Sequence, residues 1–217
     1  MAATRLTRAA ARLVQILGGD CAIAGGLAVN AYGYVRATRD IDVIALTSLE
    51  AARRRLTEQG VVSRVFRGDA FEDDFTCLKG VLGGVPFDVL PPLVPIEPER
   101  LVRLDLHEVS LPIVDFETLV RLKLKAGGPK DLLDLAMLVN LRPERRTRTL
   151  EMAAYDPQLQ SRLLSMVDDP RVKRDVAERS AEVRLLGPSR RKRGARAEGE
   201  GGSSGRAQAV ARRRRAR

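Results

Sequence analysis

Tryptophan is absent from this 217-residue chain, aromatic residues make up 4% of it, and histidine occurs once, at His107. A core organised around stacked rings is therefore excluded, and the 44% of hydrophobic residues must pack mainly through Leu, Val, Ile and Ala. His107 has no identifiable carboxylate partner and reads as structural. The two cysteines, Cys21 and Cys77, lie in predicted strands without CxxC spacing. Buried free thiols are expected there rather than a zinc site or a disulfide. No GxGxxG run is present, which argues against a Rossmann dinucleotide site, and flavin or haem has no support. No uninterrupted apolar run approaches the roughly 18 residues of a membrane span, and the N-terminus scatters charges among its apolar residues. The expectation is a cytoplasmic protein with no membrane partner.

Charge is abundant but unevenly placed. The formal net charge is +10, yet residues 189–217 hold 11 basic and two acidic side chains, a net of +9. The preceding 188 residues carry 27 basic and 26 acidic side chains and are nearly neutral. In that terminal stretch Gly, Ser, Arg and Ala dominate, so a disordered basic tail is predicted. Its clusters Arg190–Arg193 and Arg212–Arg215 have no interleaved aromatics, so any nucleic acid would be held by its phosphates alone. An RNA-binding arm and a merely solvated terminus both remain open.

Apolar spacing predicts a helix over 4–17, a strand at 21–24, a tight turn at Gly25-Gly26, a short helix over 27–34, a strand over 40–46 and a helix from about Leu49 capped by Ser48. Two β-prone runs, 76–82 and 85–90, flank Gly83-Gly84 as a hairpin requires. A strand over 107–114 follows, then a helix over 116–126 capped by Asp115 and a helix from Pro129 to about Asn140. Helical segments near 144–154 and 157–187 complete the chain. The fold class expected is α/β: a small mixed sheet of about five strands flanked by helices, with a helical C-terminal portion. The expected organisation is a core over 1–114, a helical portion over 115–188 completing the site, and the tail.

The chemistry concentrates in a few carboxylates. In Asp40-Ile41-Asp42 two acids one residue apart on a strand project from one face, where they repel each other. A divalent cation between them relieves that repulsion, and Mg²⁺ takes carboxylate and phosphate oxygens together, with Mn²⁺ as the alternative. Asp88, alone between Phe87 and Val89 on another strand, can bring a third oxygen donor, as two-metal phosphoryl transfer requires. Gly25-Gly26 permits close backbone approach, and the helix after it offers free N–H groups to a phosphate. Together these outline a site for a nucleoside triphosphate.

The order Ala22-Ile-Ala-Gly-Gly26, then Asp40-Ile-Asp42, then Asp88 resembles the DNA polymerase β-like nucleotidyltransferase superfamily. The run Arg36-Ala-Thr38-Arg39-Asp40-Ile-Asp42, with Leu122-Lys123-Leu124 and Lys130-Asp131-Leu-Leu-Asp134-Leu, is similar to the AbiEii-type toxins within it. The resemblance spans roughly residues 20–140. It implies Mg²⁺ on Asp40, Asp42 and Asp88, with Asp88 also orienting or deprotonating the attacking hydroxyl. It further implies a triphosphate held at Gly25 and Gly26, with Lys123 or Lys130 on phosphate and Arg36 and Thr38 beside it. Lys130, Asp131 and Asp134 read equally as a charged helix face with a local ion pair, and Arg39 equally as solvent-facing. The AbiEii-type toxins have a longer helical region, so their substrate surface does not carry over. The implied activity moves a nucleoside monophosphate from an NTP to an acceptor hydroxyl. A tRNA or other RNA 3′ end in a toxin setting with a cognate antitoxin is favoured. Transfer to a small molecule of the antibiotic type and a non-catalytic nucleic-acid-binding module working through the tail are the alternatives.

Overall fold

The computed structural model describes residues 4–68, 76–106 and 109–185. Helix α1 (Arg5–Ile16) is capped by the Thr4 hydroxyl, which accepts from the Thr7 N–H, and its apolar stripe buries Ala10 and Leu13. Strand β1 (Cys21–Ile23), helix α2 (Gly25–Ala31), strand β2 (Ile41–Ala45) and helix α3 (Leu49–Glu58), capped by Ser48, follow. Strands β3 (Ser63–Arg67), β4 (Thr76–Leu82), β5 (Val85–Leu90), β6 (Val102–Leu106) and β7 (Val109–Ile113) complete the sheet. The helices α4 (Phe116–Ala126), α5 (Pro129–Leu141), α6 (Arg146–Ala153), α7 (Pro157–Asp168) and α8 (Pro170–Leu185) then form the helical portion.

Among the described residues the sheet has seven strands in the order β3-β4-β5-β2-β1-β7-β6. Its centre is mixed: β2 runs parallel to β5 and antiparallel to β1, and β1 runs parallel to β7. The class is the α/β one expected, with two strands more than predicted. The extra strands, β3 and β6, are the two edges. The residues of β3 are mostly solvent-exposed, so backbone pairing more than burial holds it, and its apolar signal is correspondingly weak. In β6 the exposed Arg103 and Asp105 alternate with apolar residues, and the strand pairs with β7.

The sheet's two faces are covered differently. Ile41, Val43 and Ala45 are buried on one face, while Asp42 and Ile44, one residue out of phase, line a cleft on the other beside α2 and α4. Helix α5 is the axis of the helical portion: Leu132, Leu135 and Leu138 are fully buried against α4, α7 and α8. Helix α2 starts two residues earlier than predicted, because Gly25 and Gly26 are its first turn rather than a turn before it. The predicted long helix over 157–187 is two helices, since Pro170 cannot continue α7 and instead opens α8. His107 and the tail 189–217 lie outside the described residues.

Gly80, in the middle of β4, packs against Phe87 across the hairpin. A methyl group there would overlap the Phe87 ring and approach the Val62 carbonyl oxygen to 2.9 Å. Gly80→Ala is expected to lower unfolding free energy by about 1–3 kcal/mol in a denaturant titration, the usual cost of overpacking.

Candidate active site

Asp42 and Asp88 are register partners on the adjacent parallel strands β2 and β5, and the next same-face pair along the strands is Ile44 and Leu90. Facing residues on neighbouring strands stand side by side at about 5 Å, so the two carboxylates share one edge of a floor whose other part is apolar. Asp40, predicted as the first residue of β2, instead sits at a bend one residue before it. It nevertheless lines the same cleft as Asp42, and the Thr38 hydroxyl donates to its Oδ1 at 3.2 Å.

The cleft has a volume of about 320 Å³. Gly25, Gly26, Asp40 and Asp42 form one wall, and Arg36, Lys123, Lys130 and Asp131 bring charge from the other. Leu90, Leu93, Leu119 and Leu122 make its apolar end. Small-molecule sites combine an apolar lining with a few placed polar groups in this way. Both glycines are sterically required. A side chain on Gly25, whose φ is +54°, would overlap the Asp42 carboxylate, and one on Gly26 would overlap Thr38. The Gly26 N–H is directed at Asp42 as a hydrogen-bond donor.

Burial is the largest influence on Asp42, and the charges of Asp40 and Asp88 add to it, raising its pKa to about 6; Lys123 and the Gly26 N–H oppose the rise. Three acids close enough to perturb one another are hard oxygen donors of the kind a divalent cation takes. Among the described residues no group of three or more acidic, His or Cys side chains is closed around a metal position. The side chains explain why. Asp88 Oδ2 is held by Lys79 Nζ at 2.6 Å and Asp40 by Thr38, so each outer acid is turned to a protein partner.

The predicted cations divide into two kinds. Arg36 forms a bidentate pair with Asp134 at 2.7 and 2.8 Å, and Lys123 Nζ bridges Asp131 at 2.7 Å and Asp134 at 2.8 Å. Asp134 is 1% exposed. The pair expected between Lys130 and Asp134 on one helix face is thus replaced by a long-range network, because the Asp134 side chain points inward to the two cations that α4 and the segment before β2 bring to it. Lys130 lines the cleft with no ion-pair partner among the described residues, and Arg39 is solvent-exposed. Cys21 and Cys77 are both buried free thiols, and burial pushes the Cys21 thiol up to about 12.

The sequence names Asp134 without its role, and it does not name Lys79. The role of Asp134 depends on a contact 98 residues away in the chain, for which no local pattern exists. Lys79 was legible in principle: the two-residue turn at Gly83-Gly84 fixes the hairpin register, and counting back from it places Lys79 opposite Asp88.

No protein-family model matches the chain, and no curated protein matches it. Among solved structures, a proposed nucleotidyltransferase from Thermotoga maritima is similar over 54% of this chain and 81% of its own, at 15% identity and a TM-score of 0.43. An antigenic nucleotidyltransferase-like protein from Paracoccidioides brasiliensis is similar over 79% of this chain and 98% of its own, at 17% identity and a TM-score of 0.42. The antibiotic-resistance factor ANT(2'')-Ia is similar over 81% and 95%, at 11% identity and a TM-score of 0.39. At such low TM-scores these likenesses lend the site nothing, and its chemistry rests on its own residues. No helix among the described residues is long and apolar enough to cross a membrane.

Two outcomes follow from these side chains. Asp134→Ala leaves Arg36 and the buried Lys123 without their shared carboxylate and is expected to cost about 3–5 kcal/mol in denaturant unfolding. For Asp42 the folded-state pKa lies above the unfolded one, so from about pH 4 to about 6 the folded state binds more protons and stability falls as pH rises. In metal-free buffer, Asp42→Asn should therefore raise Tm by several degrees at pH 7.5 and leave it nearly unchanged below the unfolded value, as thermal melts at the two pH values will show.

Proposed function

We propose that the protein is a metal-dependent nucleotidyltransferase that moves a nucleoside monophosphate from an NTP to an acceptor hydroxyl and releases pyrophosphate. The observation that carries this reading is the pairing of Asp42 with Asp88 across β2 and β5, beside a cleft that joins the Gly25-Gly26 wall to Lys130.

Asp40, Asp42 and Asp88 are the residues that would hold Mg²⁺, or Mn²⁺ in its place. When bound, the ion neutralises the acids and the phosphate oxygens and polarises the phosphorus under attack. The chain's own residues do the rest. Gly25 and Gly26 let the triphosphate approach the backbone, and Lys130 supplies the uncommitted positive charge. Arg36 and Lys123 act one step back, since their ion pairs with Asp134 fix the wall opposite the acids. Thr38 holds Asp40 in place at the cleft through its hydroxyl. The acceptor oxygen attacks the α-phosphorus and forms a P–O bond. The bond from that phosphorus to the oxygen bridging to the β-phosphate breaks, its electron pair leaves with pyrophosphate, and the hydroxyl proton passes to Asp88. The leucine-lined end of the cleft suits the flat, less polar part of the nucleotide.

The AbiEii-type resemblance favours an RNA 3′ end as acceptor, with a cognate antitoxin as protein partner. A small-molecule acceptor is the enzyme alternative, and binding through residues 189–217 without turnover is the non-catalytic one.

The test incubates the full chain with each of four α-labelled NTPs, Mg²⁺ and either total RNA or an aminoglycoside mixture. Transfer is expected with one NTP at least, falling roughly a thousandfold in Asp42→Asn. Lys130→Ala should mainly raise KM for the NTP, by about tenfold. Equal transfer by wild type and Asp42→Asn, or none with any NTP and acceptor, contradicts the proposal.

A further inference from the structure

The catalytic face of the sheet does not stop at Asp88. Antiparallel pairing places Lys79 opposite Asp88 and Arg64 opposite Lys79, so Asp42, Asp88, Lys79 and Arg64 form one straight row on a single face across β2, β5, β4 and β3. Phe66 lies on the same face one step along β3, and Lys79 Nζ stands 5.1 Å from its ring centroid. Helices α2 and α4 lie over the β2 end of this row. At the β3 end the face is bare among the described residues: Val62, Phe66 and Val81 are 78%, 47% and 60% exposed. Val62, Arg64, Lys79 and Val81 line a shallow depression of about 430 Å³.

We propose that this bare face is the acceptor platform, and that it fits the 3′ end of a single-stranded polynucleotide. The inference rests on the transferase reading above and adds the surface and the substrate chemistry. The triphosphate cleft lies on the Asp42 side of the row, so a hydroxyl that gives its proton to Asp88 arrives from the other side, across β4 and β3. Among the described residues, a substrate on that path meets two cations, Arg64 and Lys79, and a single acid, Asp88, which the reaction itself employs. It also meets an exposed aromatic ring and two exposed valines. Cations spaced beside an aromatic are what a chain of phosphates bearing flat bases binds: the cations contact the backbone and Phe66 stacks on a base. Arg64 is exposed and has no ion-pair partner among the described residues, which leaves it free for phosphate. A polycationic aminoglycoside is repelled by the same pair. Lys79 has a second part to play, because a phosphate beside it competes with Asp88 for its ammonium and releases that carboxylate.

The experiment uses the full chain and single-stranded oligonucleotides, one RNA and one DNA, carrying a photoreactive 4-thiopyrimidine at the residue before the 3′ end. Irradiation followed by peptide mapping should place adducts within residues 62–67 or 77–82. The doubly substituted Arg64→Glu, Phe66→Ala chain should lose them by about tenfold or more. Phe66→Trp alone should keep them, and the affinity for a fluorescent NTP should be unchanged in both. The RNA and DNA arms show whether the 2′-hydroxyl is read as well. Adducts confined to 189–217, or equal yields in wild type and the double variant, overturn the platform. Crosslinking needs no turnover, so the two claims separate. A chain that forms these adducts yet transfers no nucleotide supports the platform and removes the transferase reading, whereas transfer with adducts elsewhere does the reverse.

Discussion

Keeping three carboxylates together at the central strands of a sheet is expensive, and much of the local structure answers that cost. Asp42 is the worst placed of them, half-buried on β2 with the charges of Asp40 and Asp88 acting on it, and its raised pKa records the strain. Every compensation the chain offers is partial. The Gly26 N–H and the charge of Lys123 favour the ionised form, Lys79 ties up Asp88, and Thr38 holds Asp40. A like-charge cluster that the protein neutralises only in part is typical of a functional site rather than of a fold optimised for stability. The glycines belong to the same compromise, because only residues without a side chain leave room for Asp42 and Thr38 beside the first turn of α2.

A second network of charge keeps the opposite wall in place. Asp134 is buried with Arg36 and Lys123 upon it, and this one carboxylate connects the segment before β2 to α4 and α5. Breaking such a network is costly, whereas its intact form adds little net stability, so its value lies in position. It couples the helical portion to the sheet at the point where the cleft opens. Among the described residues Lys130 lines the cleft without an ion-pair partner, which is what an anionic ligand requires.

The sequence disclosed the central strands, their glycine turn, the hairpin and the helices around them, because each carries its own periodicity or cap. Asp40, Asp42, Gly25, Gly26, Arg36, Lys123 and Lys130 do line one cleft. The edge strands stayed hidden for two reasons: β3 is held by pairing with a neighbour and is mostly exposed, and the five-residue alternation of β6 is short enough to pass as the start of the loop before β7. Asp134 was misread for a different reason. Its helical neighbour Lys130 is the partner that spacing suggests, but a buried carboxylate takes whichever cations the tertiary fold delivers, and those came from Arg36 and Lys123. Asp88 was placed on the right strand and face, yet its hold by Lys79 needed the hairpin register to be counted out.

If the acids at positions 40, 42 and 88 exist to bind a cation and a triphosphate together, the Mn²⁺ form of the nucleotide reports it without any acceptor. Titrating the full chain with Mn²⁺ and a non-hydrolysable NTP analogue, while following free Mn²⁺ by electron paramagnetic resonance, measures that binding directly. Wild type is expected to capture the ion only when the analogue is present, and both Asp42→Asn and Asp88→Asn to lose it. Equal capture by all three chains would contradict the account.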